Sequence, residues 1–299
     1  MSWCRSGASN TPLSVESPLV AVPESFFLDT RDGLRLQGQR YCAGRVRAVL
    51  CLVHGLGEHQ GRYGALVRAL QGADLGVYTF DLRGHGLSQG RRGHIPGLEY
   101  VLEDIQGVLA LIHSEWRGLP LFLYGHSMGG NFALNYVLRK GGTGLNGLIL
   151  NALALRFYRP IPKLVITAIG LLRKFYPAFP LNSGVTPQQL SHLGAVEDNY
   201  RRDPLVHGVI SAQMLISCYR AGLWALGHGG ELRLPTLLLQ GQCDSLVSIE
   251  ANRAFAASNP TFIHWQLLSH SKHEAHNDVE RERVFHIICQ WIEGCLQAH

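Results

Sequence analysis

The sequence runs to 299 residues, which fits one large domain carrying an insertion better than two domains of ordinary size. Hydrophobic residues make up 46% of it and charged residues 16%, a balance that excludes a disordered chain and supplies ample core material. The net charge of +5, from 27 basic and 22 acidic side chains with no long like-charge run, argues against nucleic-acid binding.

The first twenty or so residues hold Ser, Pro and Gly without a charged start and apolar stretch, so they read as poorly ordered rather than as a secretory signal. Phe26–Asp29 and Leu34–Tyr41, separated by Arg31-Asp32-Gly33, predict a β-hairpin. Ala48–Val53 is a continuous apolar run, as in a strand buried on both faces of a parallel sheet. Helical and strand patterns then alternate: a helix over Tyr63–Leu70, a strand over Gly76–Phe80, and a helix over Glu99–Trp116 with apolar residues three and four apart. Next come a strand at Pro120–Tyr124, a helix at Asn131–Lys140 and a strand at Leu145–Leu150. Strands at Thr236–Leu239 and Phe262–Leu268 and a helix at Arg283–Leu296 close the pattern, which predicts a mostly parallel sheet flanked by helices.

The stretch from about Leu155 to Gly230 interrupts this rhythm with helical patterns, prolines and no obvious strand. It divides the chain into a core of residues 1–154 and 231–299 and a helical cap of residues 155–230. Between Leu155 and Asp203 seven basic residues accompany only three acidic ones, so most of the charge imbalance sits there. Within it, Ile161–Leu172 is apolar nearly all round and flanked by Lys163, Arg173 and Lys174, a composition suited to packing, to lining an acyl tunnel or to touching an anionic membrane. The longest apolar stretch, near Leu164–Leu172, is about half the length of a membrane span. Seven cysteines, odd in number and without a C-x-x-C pair, read as reduced thiols. A cytoplasmic protein is expected, peripheral to a membrane where the cap touches one.

G-x-S-x-G occurs twice, at Gly86–Gly90 and Gly125–Gly129. The motif carries chemistry only where a strand enters and a helix leaves, because the sharp turn between them exposes the serine. Ser127 has that setting; Ser88 lies within loop sequence on both sides. A serine hydroxyl needs an imidazole base oriented by a carboxylate. Asp244 follows the strand pattern Leu237–Leu239 and supplies the acid. His270, His273 and His276 follow the last strand, and spacing alone leaves the base open among them. The N–H groups of Met128, just after the nucleophile, and of Leu56, between Gly55 and Gly57, are the expected oxyanion donors. The three histidines also admit a metal reading, but there is no H-E-x-x-H and a metal would leave Ser127 without purpose. No metal is expected, and no phosphate loop or strand-linked G-x-G-x-x-G calls for a cofactor.

The segments His54–Tyr63, Asp81–Ser88 and Gly125–Gly130, with the Asp244 and His273 loops, resemble the monoacylglycerol lipase and lysophospholipase branch of the α/β hydrolases. The likeness runs in order from about Phe26 to the C-terminal helix, and Asn199–Leu205 resembles a segment late in the cap of these enzymes. It implies the α/β-hydrolase fold, with Ser127, Asp244 and His273 as the catalytic triad, although the Gly-Ala-type turn usual before the histidine is absent from Leu268–His273. It also implies a polar patch of Glu58, Arg62 and His276 near the glycerol hydroxyls. The expected activity is hydrolysis of a single-chain lipid ester, foremost monoacylglycerol, with a lysophospholipase or broad carboxylesterase as the alternative. A non-enzymatic binder on the same fold would have no use for a complete triad.

Overall fold

The computed structural model describes residues 22–42 and 44–297. The opening segment read as poorly ordered, and Cys4 within it, lie outside the described residues. The predicted hairpin is present: β1 (Glu24–Asp29) pairs antiparallel with β2 (Arg35–Tyr41), and Gly33 takes the left-handed φ of +81° that its turn requires. The core continues through β3 (Ala48–Val53), α1 (Gly64–Gln71), β4 (Leu75–Phe80), α2 (Leu98–Glu115), β5 (Leu121–His126), α3 (Met128–Lys140) and β6 (Gly147–Asn151). An insertion then carries α4 (Lys163–Phe175), β7 (Pro180–Asn182), α5 (Gly194–Arg202), β8 (Val209–Ser211) and α6 (Ala212–Gly227). The chain returns to the core with β9 (Thr236–Gly241), α7 (Ile249–Ala257), β10 (Ile263–Leu268) and α8 (Arg281–Gln297).

Eight strands form one sheet in the order β1-β2-β4-β3-β5-β6-β9-β10, parallel from β4 onward. Its side chains alternate between two cores because the strand period is two residues. Val49, Cys51 and Val53 of β3 pack with α2 and α3, while Ala48, Leu50 and Leu52 pack with α1 and α8 on the other face. Such burial is what a continuous apolar run permits, and each fully buried Leu or Val contributes roughly 1.5–3 kcal/mol. Cys51 is completely buried among them, and the six cysteines among the described residues are all free thiols.

The insertion departs from its expected all-helical character: β7 and β8 form a small antiparallel pair, three residues each. It is fastened to the core by specific contacts. His207 donates its N–H to the Gly57 carbonyl at 2.9 Å, Glu274 donates to Leu190 at 2.8 Å, and His59 Nε2 stands 2.7 Å from Asp203 Oδ2. α4 has no fully buried residue, so packing accounts for only part of its apolar composition. Ile169 lies against the core while Leu164 and Phe175 are each 80% exposed. Among the described residues no helix is long and apolar enough to cross a membrane.

Candidate active site

Ser127 is the one residue between β5 and α3, so the helix starts at Met128, three residues earlier than its sequence pattern predicts. The turn imposes φ 53° and ψ −116° on Ser127, a backbone state that costs about 1–3 kcal/mol for a residue bearing a Cβ. Neighbouring strands hold it there: its N–H donates to the Asn151 carbonyl at 2.9 Å, and its own carbonyl accepts from Asn131 and Ala154. Gly129 shows why the motif needs glycine, since a Cβ there would stand 2.2 Å from the His54 carbonyl oxygen. The other match to the motif is a closed turn in which Ser88 is buried, accepting from the Gln37 N–H and donating to the Asp81 carbonyl.

Of the three histidines, His273 is the one placed between Ser127 and Asp244. Its Nε2 stands 2.9 Å from Ser127 Oγ and its Nδ1 2.8 Å from Asp244 Oδ2. His270 is exposed, and His276 is fully buried elsewhere. Gly241 allows the acid and base loops to meet, because a Cβ there would lie 2.2 Å from the Lys272 carbonyl oxygen. Asp244 is 3% exposed and fully hydrogen-bonded: Oδ1 accepts from the N–H groups of Leu246 and Val247, and Oδ2 also accepts from Gln240 Nε2. Burial disfavours its charge, but His273 and those donors outweigh it and hold the carboxyl below the usual carboxylate range. Burial likewise opposes a charged His273, and Asp244 more than compensates, so this imidazole titrates above an ordinary histidine.

Ser127, Leu56 and Met128 line one cavity, partly open to solvent and walled mostly by apolar groups. Met128 is the first residue of α3, where the N–H groups have no intrahelical acceptor and the helix dipole favours negative charge. His54, beside the Leu56 loop, accepts the Leu82 N–H through Nε2 at 2.9 Å and so holds that turn. The cavity walls include Ala154 and Val247 from the core side and Leu155, Val185, Leu190, Ile210 and Cys218 from the insertion.

The expected polar patch is brought together, but only part of it faces this space. Glu58 lines the cavity, whereas Arg62 and His276 do not. Arg62 is occupied by Glu274, whose two carboxylate oxygens accept from its Nη2 at 2.7 and 2.6 Å, by Glu58 at 3.2 Å, and by the Tyr200 ring 4.8 Å from its guanidinium. His276 is fully buried and stacked on Tyr63 at 4.6 Å. Glu274, which the sequence reading passed over, does line the cavity. Burial and the neighbouring Glu274 push the Glu58 carboxyl up, while Glu274 is held down despite its own burial because it has the closer grip on Arg62. Among the described residues no cluster of three or more His, Cys, Asp or Glu has a metal-binding arrangement.

Similarity to known proteins extends along most of the chain. The monoacylglycerol lipase of Mycolicibacterium smegmatis is 28% identical over 254 residues, 84% of this chain and 89% of that protein. An uncharacterized abhydrolase domain-containing protein of Dictyostelium discoideum is 30% identical over 84% of the chain, which spans only 27% of that longer relative. The crystal structure of the Paleococcus ferrophilus monoacylglycerol lipase superimposes with a TM-score of 0.80 at 29% identity, covering 87% of this chain and 99% of that one. The resemblance to monoacylglycerol lipases read from the motifs therefore extends along most of the sequence. Residues 44–280 match the family described as serine aminopeptidase, S33. The chain belongs to this family of serine hydrolases and has the α/β-hydrolase fold.

Proposed function

We propose that the protein hydrolyses the carboxylic ester of a single-chain lipid, with monoacylglycerol as the preferred substrate, through an acyl-enzyme on Ser127. The observation that carries this reading is a mostly apolar cavity with the Ser127–His273–Asp244 hydrogen-bonded series opening into it. Ser127 Oγ attacks the acyl carbonyl while His273 accepts its proton, and Asp244 orients His273 and stabilises it as it becomes cationic. The N–H groups of Leu56 and Met128 receive the oxyanion, a contribution of roughly 3 kcal/mol per donor in such sites. His273 returns the proton to the departing glycerol, and water then releases the fatty acid by the same route.

Glu58 and Glu274 supply hydroxyl-accepting groups in the cavity, with Arg62 holding both from behind, which suits a neutral diol better than a phosphate. Arg156, which also lines the cavity, favours the second reading, a lysophospholipase. Steady-state turnover of monoacylglycerol, lysophosphatidylcholine and a short nitrophenyl ester separates the two. The highest kcat/KM is expected for monoacylglycerol; a preference for the lysophospholipid would replace that reading, and activity on the short ester alone would leave only a carboxylesterase.

The insertion acts in this proposal as a cap over the cavity and as its contact with membranes. Leu164, Leu171 and Phe175 present an exposed apolar edge on α4, and Lys163 and Lys174 are exposed beside it. Sedimentation with phosphatidylserine vesicles should weaken with salt. Reversing both lysines in Lys163→Glu/Lys174→Glu should reduce it at least tenfold, since each basic side chain near an anionic surface contributes about 1 kcal/mol. Arg173 is the poorer choice for substitution because it also bonds Gln213. Binding indifferent to salt and to both reversals would remove the membrane from the account.

A further inference from the structure

We infer that Asn151 is a positioning residue that keeps the nucleophile turn, the histidine loop and the oxyanion loop in one register; the inference rests on the reading of Ser127 as nucleophile. Asn151 ends β6, is fully buried and does not line the cavity, so it acts through other groups. Its main-chain carbonyl accepts the N–H of Ser127 at 2.9 Å. Its Nδ2 donates to His276 Nδ1 at 2.9 Å, three residues beyond His273. Burial, then the nearby Arg62 charge, lower the His276 pKa to about 3, so the ring is neutral, and because the Asn151 NH₂ can only donate, Nδ1 is the acceptor in the tautomer protonated on Nε2.

From His276 the chain of contacts continues. Its ring lies flat on Tyr63, with centroids 4.6 Å apart and planes 9° from parallel. The Tyr63 hydroxyl donates to Glu58 Oε1 at 2.6 Å, and the same oxygen accepts the Gly55 N–H at 2.6 Å, immediately before Leu56. Asn151 thus stands where one end of this series meets the Ser127 turn, and the other end fixes the oxyanion loop. The surroundings are costly for mere packing: Asn151 Oδ1, the Tyr124 hydroxyl and His276 Nε2 are buried without a partner among the described residues. An apolar residue at position 151 would relieve part of that cost, but it would cut the link between the two loops.

Two variants test the link, Asn151→Leu, which removes the amide at similar bulk, and His276→Phe, which keeps the ring on Tyr63 but removes the acceptor. With folding checked by thermal melting, each should lose kcat on a nitrophenyl ester about 10- to 100-fold, with KM within about twofold of wild type, as expected for a misaligned catalytic group. The double variant should lose no more than the worse single one, because both cut the same link. Unchanged kcat, a loss confined to KM, or multiplicative losses in the double variant would overturn the inference. Should Asn151→Leu not fold, Asn151→Ser, too short to reach His276, is read in the same way against the same limits. Fluorophosphonate labelling of the wild type at Ser127 separates the two levels: without labelling the nucleophile reading fails and takes this inference with it, whereas normal labelling with kinetically normal variants defeats the inference alone.

Discussion

Ser127→Ala is expected to lower ester turnover by about 10⁵- to 10⁶-fold, the scale seen when the nucleophile of a serine hydrolase is removed. Labelling by a fluorophosphonate should disappear at the same time. The variant should remain folded, because the hydrogen bonds that hold the strained turn are made by the main chain of residue 127, and alanine keeps them. A residual rate above the uncatalysed reaction should survive, since the oxyanion donors and the cavity are untouched. Ser88→Ala is the matched control. Its hydroxyl is enclosed in a turn between Gln37 and Asp81, with no histidine among its hydrogen-bond partners, so labelling at Ser127 should persist. Turnover by Ser127→Ala within a hundredfold of wild type would remove the proposed chemistry, as would a phosphonate adduct on any other residue.

What the sequence reveals follows from the length scale of each signal. β3 is legible because six consecutive apolar residues admit few alternatives, and each of them is buried. The Ser127 turn is legible because strand, glycines and helix stand within one short segment. His273 is different, for three histidines at equal spacing are distinguished only by the loop path that carries one of them to Asp244. Glu274 is illegible for the same reason: its meaning comes from Arg62, 212 residues away in sequence. Three-residue strands such as β7 and β8 have no room to display a period, which is why the insertion reads as wholly helical. α4 shows a further limit, since a helix apolar nearly all round carries the same pattern whether it is buried or exposed.

Asp244→Asn should reduce kcat by about 10⁴-fold while leaving the fold intact, the effect found when the triad acid is replaced by its amide. Asp244 Oδ2 accepts from His273 Nδ1, which leaves Nε2 unprotonated and facing Ser127 Oγ. An asparagine could present its NH₂ to Nδ1 and favour the opposite tautomer, with Nε2 protonated and unable to act as base. The pH profile supplies an independent reading. Only neutral His273 can take the serine proton, so kcat/KM of the wild type should rise with pH through the His273 pKa, which Asp244 holds above that of an ordinary histidine against the pull of burial. In Asp244→Asn the burial remains and the opposing charge is gone, so the acid limb should move to lower pH. Glu274 and Glu58 still favour the imidazolium and should limit that movement. A limb that stays in place or moves upward would show that Asp244 is not the charge setting the ionisation of the base, and the tautomer argument for its catalytic role would fall as well.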